Sequence, residues 1–364
     1  MLSLAFLSVF YASSLAAAPA QNAPETRVVE ERYSSGKIRE KRQMRAGKRG
    51  DLVEHGYVEK YYESGPKAAQ YRYRDGERDG PWTEWYESGK KKAEGTYLSG
   101  RKEGVETRYA ENGEKKQETI YHNDDKDGLE VIWHPGGQKA TEQTFSAGEH
   151  HGTLSSWYPD GAPKQLSQFV HGVKHGTDVS YYRDNKKSLE ATYKDGVKHG
   201  HYTAWYDDGQ LKSDRTYNEN TLDGAFTEWH PDGTLKSKGE YIDGMRDGKW
   251  EEWWPQDAEH HPKVSATYTK GELTGDYTSW HRNGLLASLN HYDEGNRDGM
   301  ALEWFENGQI KSECLFDRGM ANGRAINWYQ SGAPKSMVNF RLGQRQGMAY
   351  EWKENGEVLS SREY

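Results

Sequence analysis

Aromatic residues recur along the chain at fixed places in an interval of 24 residues, and polar and charged residues fill most of the positions between them. We number positions from the glycine that closes each interval, so that +5 lies five residues after it. Eleven of the twelve spacings between closing glycines are 24 residues, and the remaining one is 27. The thirteen closing glycines are Gly56, Gly80, Gly104, Gly128, Gly152, Gly176, Gly200, Gly224, Gly248, Gly275, Gly299, Gly323 and Gly347.

Two positions hold an aromatic ring in every copy. Position +5 is Tyr61, Trp85, Tyr109, Trp133, Trp157, Tyr181, Trp205, Trp229, Trp253, Trp280, Trp304, Trp328 and Trp352. Position +17, corrected for the three-residue insertion, is Tyr73, Tyr97, Tyr121, Phe145, Phe169, Tyr193, Tyr217, Tyr241, Tyr268, Tyr292, Phe316, Phe340 and Tyr364. A fixed interval of this kind is the sequence signature of a repeat architecture.

Each interval is punctuated like a β-hairpin. Positions +1 to +6 are rich in Thr, Val, Trp and Tyr, which favour strands, and a second strand is predicted from about +11 to +18. Glycine at +9 and +20, and proline at +7 in four copies, favour turns. With Gly36 and Gly47 of an incomplete first copy, 36 of the 40 glycines fall in register. We therefore interpret the closing glycines, like those at +9 and +20, as turn residues.

Strand alternation predicts which rings are buried. Positions +3 and +5 share one face of a strand, and we assign that face to the core together with the +17 rings. A single hairpin is unstable in water, whereas stacked hairpins bury each other's rings. The sequence thus predicts an all-β fold, an elongated single-layer antiparallel sheet or solenoid of about 13 stacked hairpins.

Composition agrees with a fold that is mostly surface. Only 33% of the residues are apolar and 29% are charged, yet the chain has 13 Trp, 25 Tyr and 8 Phe. Disordered chains are poor in aromatic residues, so we expect an ordered protein without a thick core. The net charge is −8, and the two signs alternate without a long basic block. Nucleic-acid binding, which needs a basic patch, is therefore not predicted.

The chain is divided by these patterns into four parts. Residues 1–20 are apolar or small and end in Ala18-Pro19-Ala20, which predicts a signal peptide cleaved near Ala20. A short linker (21–30), a degenerate repeat (31–55) and the repeat array (56–364, with the insertion near 253–264) follow. We expect a secreted, periplasmic or cell-envelope protein; a retained N-terminal anchor is the alternative, and no later stretch could span a membrane.

Candidate metal-binding residues are few. His55, His151, His175 and His199 each precede a closing glycine, but neighbouring copies lie roughly 10 Å apart, too far to share one zinc ion, so we interpret these histidines as structural. The insertion holds Asp257, Glu259, His260 and His261, which suit either a metal ion or a solvated turn. Residues 122–128, HNDDKDG, lack the ligand spacing of a calcium loop and predict a turn.

No catalytic motif stands out. The single cysteine, Cys314, permits no intrachain disulfide and is interpreted as a small buried side chain. The chain has no G-x-S-x-G, no P-loop and no cysteine–histidine pair in evidence. We therefore predict a protein that is not an enzyme, with no cofactor and no resident metal ion.

Position +6 offers the best candidate binding surface. It lies opposite +5 and is aromatic or histidine in eleven copies: Tyr62, Tyr86, His134, Tyr158, Tyr182, Tyr206, His230, Trp254, His281, Phe305 and Tyr329. We call these eleven residues the +6 row. They could cover the strand ends, or they could dock a partner, since Tyr and Trp combine apolar area with a polar group.

The units GPWTEWYESGKKKAEGTYLSGRKEG and GAFTEWHPDGTLKSKGEYIDGMRDG resemble the MORN-repeat variant, found in bacterial proteins often labelled antitoxin components of toxin–antitoxin systems. The resemblance implies stacked hairpins and scaffolding through an unidentified protein partner rather than catalysis. Because eukaryotic MORN repeats are associated with phospholipids, it also leaves open the binding of lipid headgroups or envelope glycan. An antitoxin role fits poorly with a signal peptide. A rival resemblance, to choline-binding repeats, is weakened by the longer spacing and the higher Lys and Glu content.

Overall fold

The computed structural model describes residues 26–257 and 259–364, so the predicted signal peptide lies outside the described residues. Throughout these ranges the regular elements are β-strands, and 31 strands form one open antiparallel sheet. The prediction of an all-β antiparallel sheet of repeated hairpins is confirmed. No helix of the described ranges is both long and apolar enough to cross a membrane.

The chain divides into two compact units. The first comprises the described residues up to Glu114 together with Tyr121–Asp124. Its strands are β1 (Arg27–Arg32), β2 (Ile38–Ala46), β3 (Leu52–Tyr61), β4 (Lys67–Arg74), β5 (Glu77–Trp85), β6 (Lys91–Leu98), β7 (Arg101–Lys102) and β8 (Gly104–Tyr109). Strand β1 begins inside the segment predicted to be a linker, because the degenerate first copy already forms a paired strand.

The second unit comprises Lys115–Ile120 and Asp125–Tyr364. Strand β9 (Lys115–His122) contributes its first six residues to this unit. The other strands are β10 (Asp125–Trp133), β11 (Lys139–Ser146), β12 (Glu149–Trp157), β13 (Pro163–Val170), β14 (Val173–Lys174), β15 (Gly176–Tyr181), β16 (Lys187–Lys194), β17 (Val197–Trp205), β18 (Leu211–Asn218), β19 (Thr221–Trp229), β20 (Leu235–Ile242), β21 (Met245–Trp253), β22 (Pro262–Thr269), β23 (Glu272–Trp280), β24 (Leu286–Asp293), β25 (Asn296–Arg297), β26 (Gly299–Trp304), β27 (Ile310–Asp317), β28 (Met320–Trp328), β29 (Pro334–Arg341), β30 (Gln344–Trp352) and β31 (Val358–Glu363).

Strand register decides which positions share a face. Within one hairpin, Gly80 is opposite Tyr97 and Trp82 is opposite Gly95, after which the register shifts before Trp85. Residues directly opposite each other in a sheet point to the same side. Positions +2, +4, +13, +15 and +17 therefore lie together, and we call this side the +17 face. The other side, which holds +3, +5 and +14, is the +5 face.

The prediction that the +5 and +17 rings form one core is wrong. Tyr61, at +5, donates to the +3 carboxylate of Glu59 (2.7 Å), and Tyr109, at +5, donates to the +14 carboxylate of Glu94 (2.6 Å). Positions +3 and +5 do share a face, as predicted. Position 0 pairs with +17, so these two positions share a side of the sheet. Positions +2 and +4 lie an even number of residues from position 0 and therefore share that side as well, whereas +3 and +5 point to the other side.

The best-buried side chains lie on the +17 face. Val58 and Trp82 at +2, Ala93 at +13 and Tyr71 at +15 are at most 8% exposed. A cation two residues before the closing glycine covers the rings: the guanidinium carbon of Arg78 lies 4.2 Å from the Tyr71 ring centroid. Arg78 also donates to the Tyr97 hydroxyl (3.0 Å). Rings and long cationic side chains thus replace the aliphatic core that the composition lacks.

The closing glycines are not turn residues, which corrects our interpretation of Gly80 and Gly104. Gly80 lies inside β5, at a bulge where three residues of β5 face one residue of β4. All thirteen closing glycines have φ between +66° and +119°, and a Cβ on Gly80 would lie 2.7 Å from the Cδ of Arg72. Glycine is required here by backbone conformation and by close approach.

The turn that links consecutive copies uses left-handed backbone at +19 as well as at +20. Position +19 has positive φ in all twelve copies that contain it: Asp75, Ser99, Asn123, Ala147, His171, Asp195, Glu219, Asp243, Lys270, Glu294, Arg318 and Leu342. Positive φ at both central residues defines a type I′ turn, which matches the twist of the paired strands. The segment 122–128 forms such a turn, as predicted.

Leu342 is an unfavourable residue for its turn. It has φ +48° and is 55% exposed, so its side chain gains little from burial while its backbone is strained. We expect Leu342→Asn to raise the free energy of unfolding by about 0.5 to 1 kcal/mol, since Asn tolerates this conformation. Urea unfolding measures the change. Leu359→Asn, an equally exposed leucine inside β31, should not stabilise, and a gain there would contradict the backbone explanation.

Candidate functional site

The +6 row lies at the turn that joins the two strands of each hairpin. Each of its residues follows the last residue of the first strand, as Tyr158 follows β12 and Tyr182 follows β15. The backbone N–H groups of at least ten of them close the turn, for example from Tyr158 to the carbonyl of Ala162 (2.8 Å). All eleven side chains are half-buried. Within each unit, the row therefore runs without interruption along the side of the sheet on which these turns lie.

The polar atoms of the +6 row bind the backbone of the following copy. In nine of the eleven, the hydroxyl or the histidine Nε2 lies 2.8 to 3.3 Å from the carbonyl oxygen of the residue 23 positions later, always the next +5 ring residue. A carbonyl oxygen can only accept, so His134, His230 and His281 each carry a proton on Nε2. The +6 side chains therefore join neighbouring copies, the structural role considered above.

The faces of the +6 rings are in contact with cations. The Lys164 ammonium lies 5.9 Å from the Tyr158 ring centroid, and the Arg183 guanidinium carbon of the next turn lies 5.3 Å from it. Lys212 over Tyr206 (5.6 Å) and Lys335 over Tyr329 (5.5 Å) repeat the first contact. Each of these lysines sits at +12, so the row carries aligned cation–π pairs.

An open groove lies between two members of the row. It has a volume of about 640 Å³ and is lined by Tyr158, Tyr182, Arg183, Asp184, Asp207 and Asp208. Lys186 donates to the carbonyl of Asp207 (3.0 Å) and pairs with Asp184 (2.8 Å). The groove combines two half-exposed tyrosine rings and an arginine, residue types that are enriched at protein interfaces, with three aspartates at its edge.

The +17 face holds acidic groups that the sequence reasoning missed. Glu130 is 2% exposed, and it accepts hydrogen bonds from Lys126 (2.6 Å), Thr119 (2.9 Å), Gln117 (2.9 Å) and Gln143. Two other copies repeat this arrangement with a buried acid at +2 and a lysine four residues earlier, namely Glu106 with Lys102 (2.6 Å) and Asp178 with Lys174 (2.9 Å). The signal was present as Lys-x-Gly-x-acid around three closing glycines.

Two of these buried carboxylates, Glu130 and Asp178, are stabilised in the charged form. Burial alone would raise the pKa of Glu130, but the hydrogen bonds from Lys126, Gln143 and Thr119 outweigh it and lower the pKa below its ordinary value. Burial likewise acts against the charge of Asp178, and hydrogen bonds from Ser167 and Lys174 lower its pKa. With a lowered pKa, Glu130 and Asp178 are unprotonated at neutral pH and are not suited to act as general acids.

The lowered pKa of Glu130 predicts how the free energy of unfolding depends on pH. Because the pKa of Glu130 is lower in the folded chain, its stabilisation is fully present above the pKa of the unfolded chain, about 4.3, and is lost as the pH falls through the folded pKa. We expect Glu130→Gln to be less stable than the wild type at pH 7 and to approach it near pH 3. Urea unfolding at a series of pH values measures this. The control Glu142→Gln, at a half-exposed carboxylate, should stay within about 0.5 kcal/mol of the wild type at both pH values.

The insertion is a compact turn. Asp257 accepts from the backbone N–H and the Nδ1 of His261 (2.8 and 3.1 Å), and Glu259 lies 3.1 Å from Nε2 of His261. Gln256 and His260 have positive φ. In the described parts of the chain, no three His, Cys, Asp or Glu side chains are grouped so as to hold a metal ion. The solvated-turn interpretation accounts for the contacts of His261.

The histidines before closing glycines contact the link turn. Nδ1 of His175 accepts from the backbone N–H of Asp195 (3.5 Å), and Nδ1 of His55 lies 3.3 Å from Asp75. His151 contacts His171 of the same turn, ring centroids 5.2 Å apart. These contacts agree with the structural interpretation for His55, His151 and His175. Cys314 is only half-buried, and burial raises the pKa of its thiol, which leaves it weakly reactive.

Five segments match the family model of the MORN repeat variant: 78–98, 102–123, 198–219, 222–243 and 297–318. Together they cover less than half of the chain. The match supports the repeat itself and agrees with a repeat scaffold, but it does not support the antitoxin label. Comparison with curated proteins gives no significant match.

Similar solved structures belong to toxin complexes. A chain of the TcdB2-TccC3-Cdc42 crystal structure is 11% identical, with a TM-score of 0.16 over 91% of this chain. A chain of the Photorhabdus luminescens Tc holotoxin pore is 10% identical, with a TM-score of 0.17 over 93% of this chain. The present chain spans only 21% and 20% of these two chains. At such TM-scores neither fold nor function transfers from them.

Proposed function

We propose that the chain is a non-enzymatic scaffold that binds an extended protein partner along the +6 row. The observation that carries the proposal is the groove between Tyr158 and Tyr182, in which two half-exposed rings stand beside Arg183 and three aspartates. The row repeats the same ring-and-carbonyl contact from copy to copy. An extended segment could therefore meet similar binding positions at regular spacing, and the MORN-variant segments agree with scaffolding.

The proposal retains three predictions made from the sequence, which concern the cellular location, the absence of catalysis and the alternative ligands. The partner meets the chain outside the cytoplasm if residues 1–20 act as a signal peptide. Catalysis is not proposed, since the chain has no catalytic motif and its best-buried carboxylates are held in ion pairs. Binding of envelope glycan or phospholipid headgroups by the row remains the alternative, and an antitoxin role has no observation in its favour.

Two triple variants separate recognition from stability. Changing Tyr158, Tyr182 and Tyr206 to phenylalanine removes the three hydrogen bonds to carbonyl oxygens but keeps the rings. Changing the same residues to serine removes both. We expect the partner recovered from native envelope fractions with the wild type to bind the phenylalanine variant and to be lost from the serine variant. Retention by a folded serine variant would show that the row is only structural.

Site-specific crosslinking then locates the contact. A photoreactive residue at Asp208, in the groove, should crosslink to the same partner. The matched control is Asp195, which lies in a link turn at the other end of the strands. Equal crosslinking from both positions would contradict recognition by the +6 row, and pelleting with anionic vesicles or with sacculi tests the alternative.

A further inference from the structure

The interval at which the +6 row repeats fits one kind of extended chain. Strands of a sheet lie about 4.8 Å apart, so equivalent positions of neighbouring two-stranded copies lie about 9.6 Å apart. A polyproline II helix has three residues per turn and rises about 3.1 Å per residue, so every third residue returns to the same side after about 9.3 Å. One turn of such a helix therefore spans one copy of the array, with a mismatch of about 0.3 Å.

Other regular backbones fit this interval less well. Three residues of an extended strand also span about 10 Å, but successive side chains alternate between two faces, so a strand would present the same face only to every second copy. An α-helix returns to the same face after seven residues and about 10.5 Å. From Tyr158 to Tyr206, two copies later, the accumulated mismatch is about 1.8 Å for the α-helix and about 0.6 Å for polyproline II.

The rings along this part of the row are held in place before any partner binds. The hydroxyls of Tyr158, Tyr182 and Tyr206 each donate to the carbonyl oxygen 23 residues later (3.1, 2.9 and 2.9 Å). Arg183 lies over the Tyr158 ring and Lys212 over the Tyr206 ring. Within the described ranges no Lys or Arg stacks on Tyr182, which is half-buried and lines the groove. Tyr182 therefore offers an aromatic wall on which the pyrrolidine rings of a proline-rich segment can pack.

The edge of the groove is acidic. Lys186 pairs with Asp184 (2.8 Å), whereas Asp207 and Asp208 form no ion pair with another described residue. Position +8 is an exposed aspartate in four consecutive copies: Asp160, Asp184, Asp208 and Asp232. Because these carboxylates recur once in each copy, they complement cations that recur once in each turn of a polyproline II helix, at every third residue.

We propose that the +6 row around Tyr182 binds a proline-rich segment in the polyproline II conformation, with a basic residue at every third position. This inference rests on the proposed function and names the chemistry of its partner. Prolines pack against the tyrosine rings, and the basic side chains meet Asp207 and the aspartates at +8. A polyproline II segment is ordered before it binds, so an open groove with few contacts is sufficient to hold it.

Fluorescence anisotropy with the full chain and synthetic peptides tests the proposal. The probe is a labelled peptide of four Pro-Pro-Arg triplets. One control peptide has the same composition with its arginines in a single block, and a second has four Gly-Ser-Arg triplets, which keep the spacing without the preformed helix. A third has Pro-Pro-Glu triplets, which reverse the charge. We expect each control peptide to bind at least about fivefold more weakly than the probe.

Variants of the chain locate the contact. Asp208→Asn removes a charge but keeps the oxygen that accepts the N–H of Gln210 (2.8 Å); it should weaken binding of the probe about threefold, as expected for one exposed ion pair. Tyr182→Ser should weaken it at least about fivefold. The matched control is Asp243→Asn, the same change at an exposed residue of a link turn, which should bind like the wild type. Raising the salt concentration should weaken binding of the wild type more than binding of Asp208→Asn.

Thermal melting reports that the variants are folded. The proposal is overturned if the wild type does not bind the probe, if any control peptide binds as tightly as the probe, or if Asp208→Asn and Tyr182→Ser both bind it like the wild type. In each of these cases the proposed function still stands if the serine variant of Tyr158, Tyr182 and Tyr206 loses the native partner. Retention of the native partner by that variant would overturn the proposed function, and this inference with it.

Discussion

Replacing Glu130 with methionine should lower the local free energy of unfolding around β10 by about 2 kcal/mol, because it leaves the half-buried Lys126 ammonium without its partner. Glu130 is 2% exposed and lies 2.6 Å from the Lys126 ammonium. The substitution also removes the acceptor of Thr119 and Gln117. Hydrogen exchange of the β10 and β11 amides measures the change locally, as a repeat array requires.

The double variant Lys126→Met/Glu130→Met should lose less unfolding free energy than the two single variants together. We expect the difference to be at least about 1.5 kcal/mol. The chain itself uses an apolar pair at the equivalent positions of another copy, Leu222 and Phe226. The matched control is the more exposed pair Lys139 and Glu142, 51% and 35% exposed, whose coupling should stay below about 1 kcal/mol. Additive costs at Lys126 and Glu130 would mean that the pair does not act as a buried ion pair.

Replacing Gly239 with alanine should destabilise the β20–β21 region by about 3 kcal/mol through overpacking. A Cβ on Gly239 would lie 2.2 Å from Cε3 of Trp250, a side chain that is 3% exposed. The φ of Gly239 lies outside the left-handed region, so the expected cost is steric. Gly95 and Trp82 repeat this complementarity in the first unit, where a Cβ would lie 2.9 Å from the indole nitrogen.

Shrinking the tryptophan should relieve the clash. We expect Gly239→Ala/Trp250→Leu to be more stable than the two single costs predict, with a coupling of at least about 1 kcal/mol by hydrogen exchange. Gly89→Ala is the control for backbone conformation, since Gly89 has φ +81° and open space around it; it should cost only about 1 to 2 kcal/mol. If Gly239→Ala costs no more than Gly89→Ala, close packing does not explain this glycine.

These two predictions depend on features that the repeat pattern does not reveal. Gly95 and Gly239 are among the few glycines outside the 24-residue register, and their partners become apparent only from the strand pairing. The Lys-x-Gly-x-acid spacing was visible around Gly128 and Gly176. The burial of the acid was not visible, because these strands carry charged residues on both faces. A buried charged residue then looks the same in the sequence as an exposed one.

The +6 row, too, was only partly predictable from the sequence. Its members follow directly from the 24-residue count, but their hydrogen bonds to a carbonyl 23 residues later depend on the register between hairpins. The sequence predicted that the row covers the strand ends or docks a partner, but it did not predict the hydrogen bonds that join neighbouring copies. Among the described residues the buried indole N–H of Trp254 has no acceptor, which could not be predicted from the sequence because it depends on the positions of neighbouring strands.

By itself the sequence determined the repeat, its hairpins, the turn at +9 and the sharing of one face by +3 and +5, because side-chain alternation and turn residues act over a few positions. Only the tertiary structure decided that the +17 rings occupy the other face, that the closing glycines form bulges, and that buried carboxylates pair with half-buried lysines. A bulge changes the side to which every following residue points, and its place is set by contacts between strands rather than by the residues of one strand.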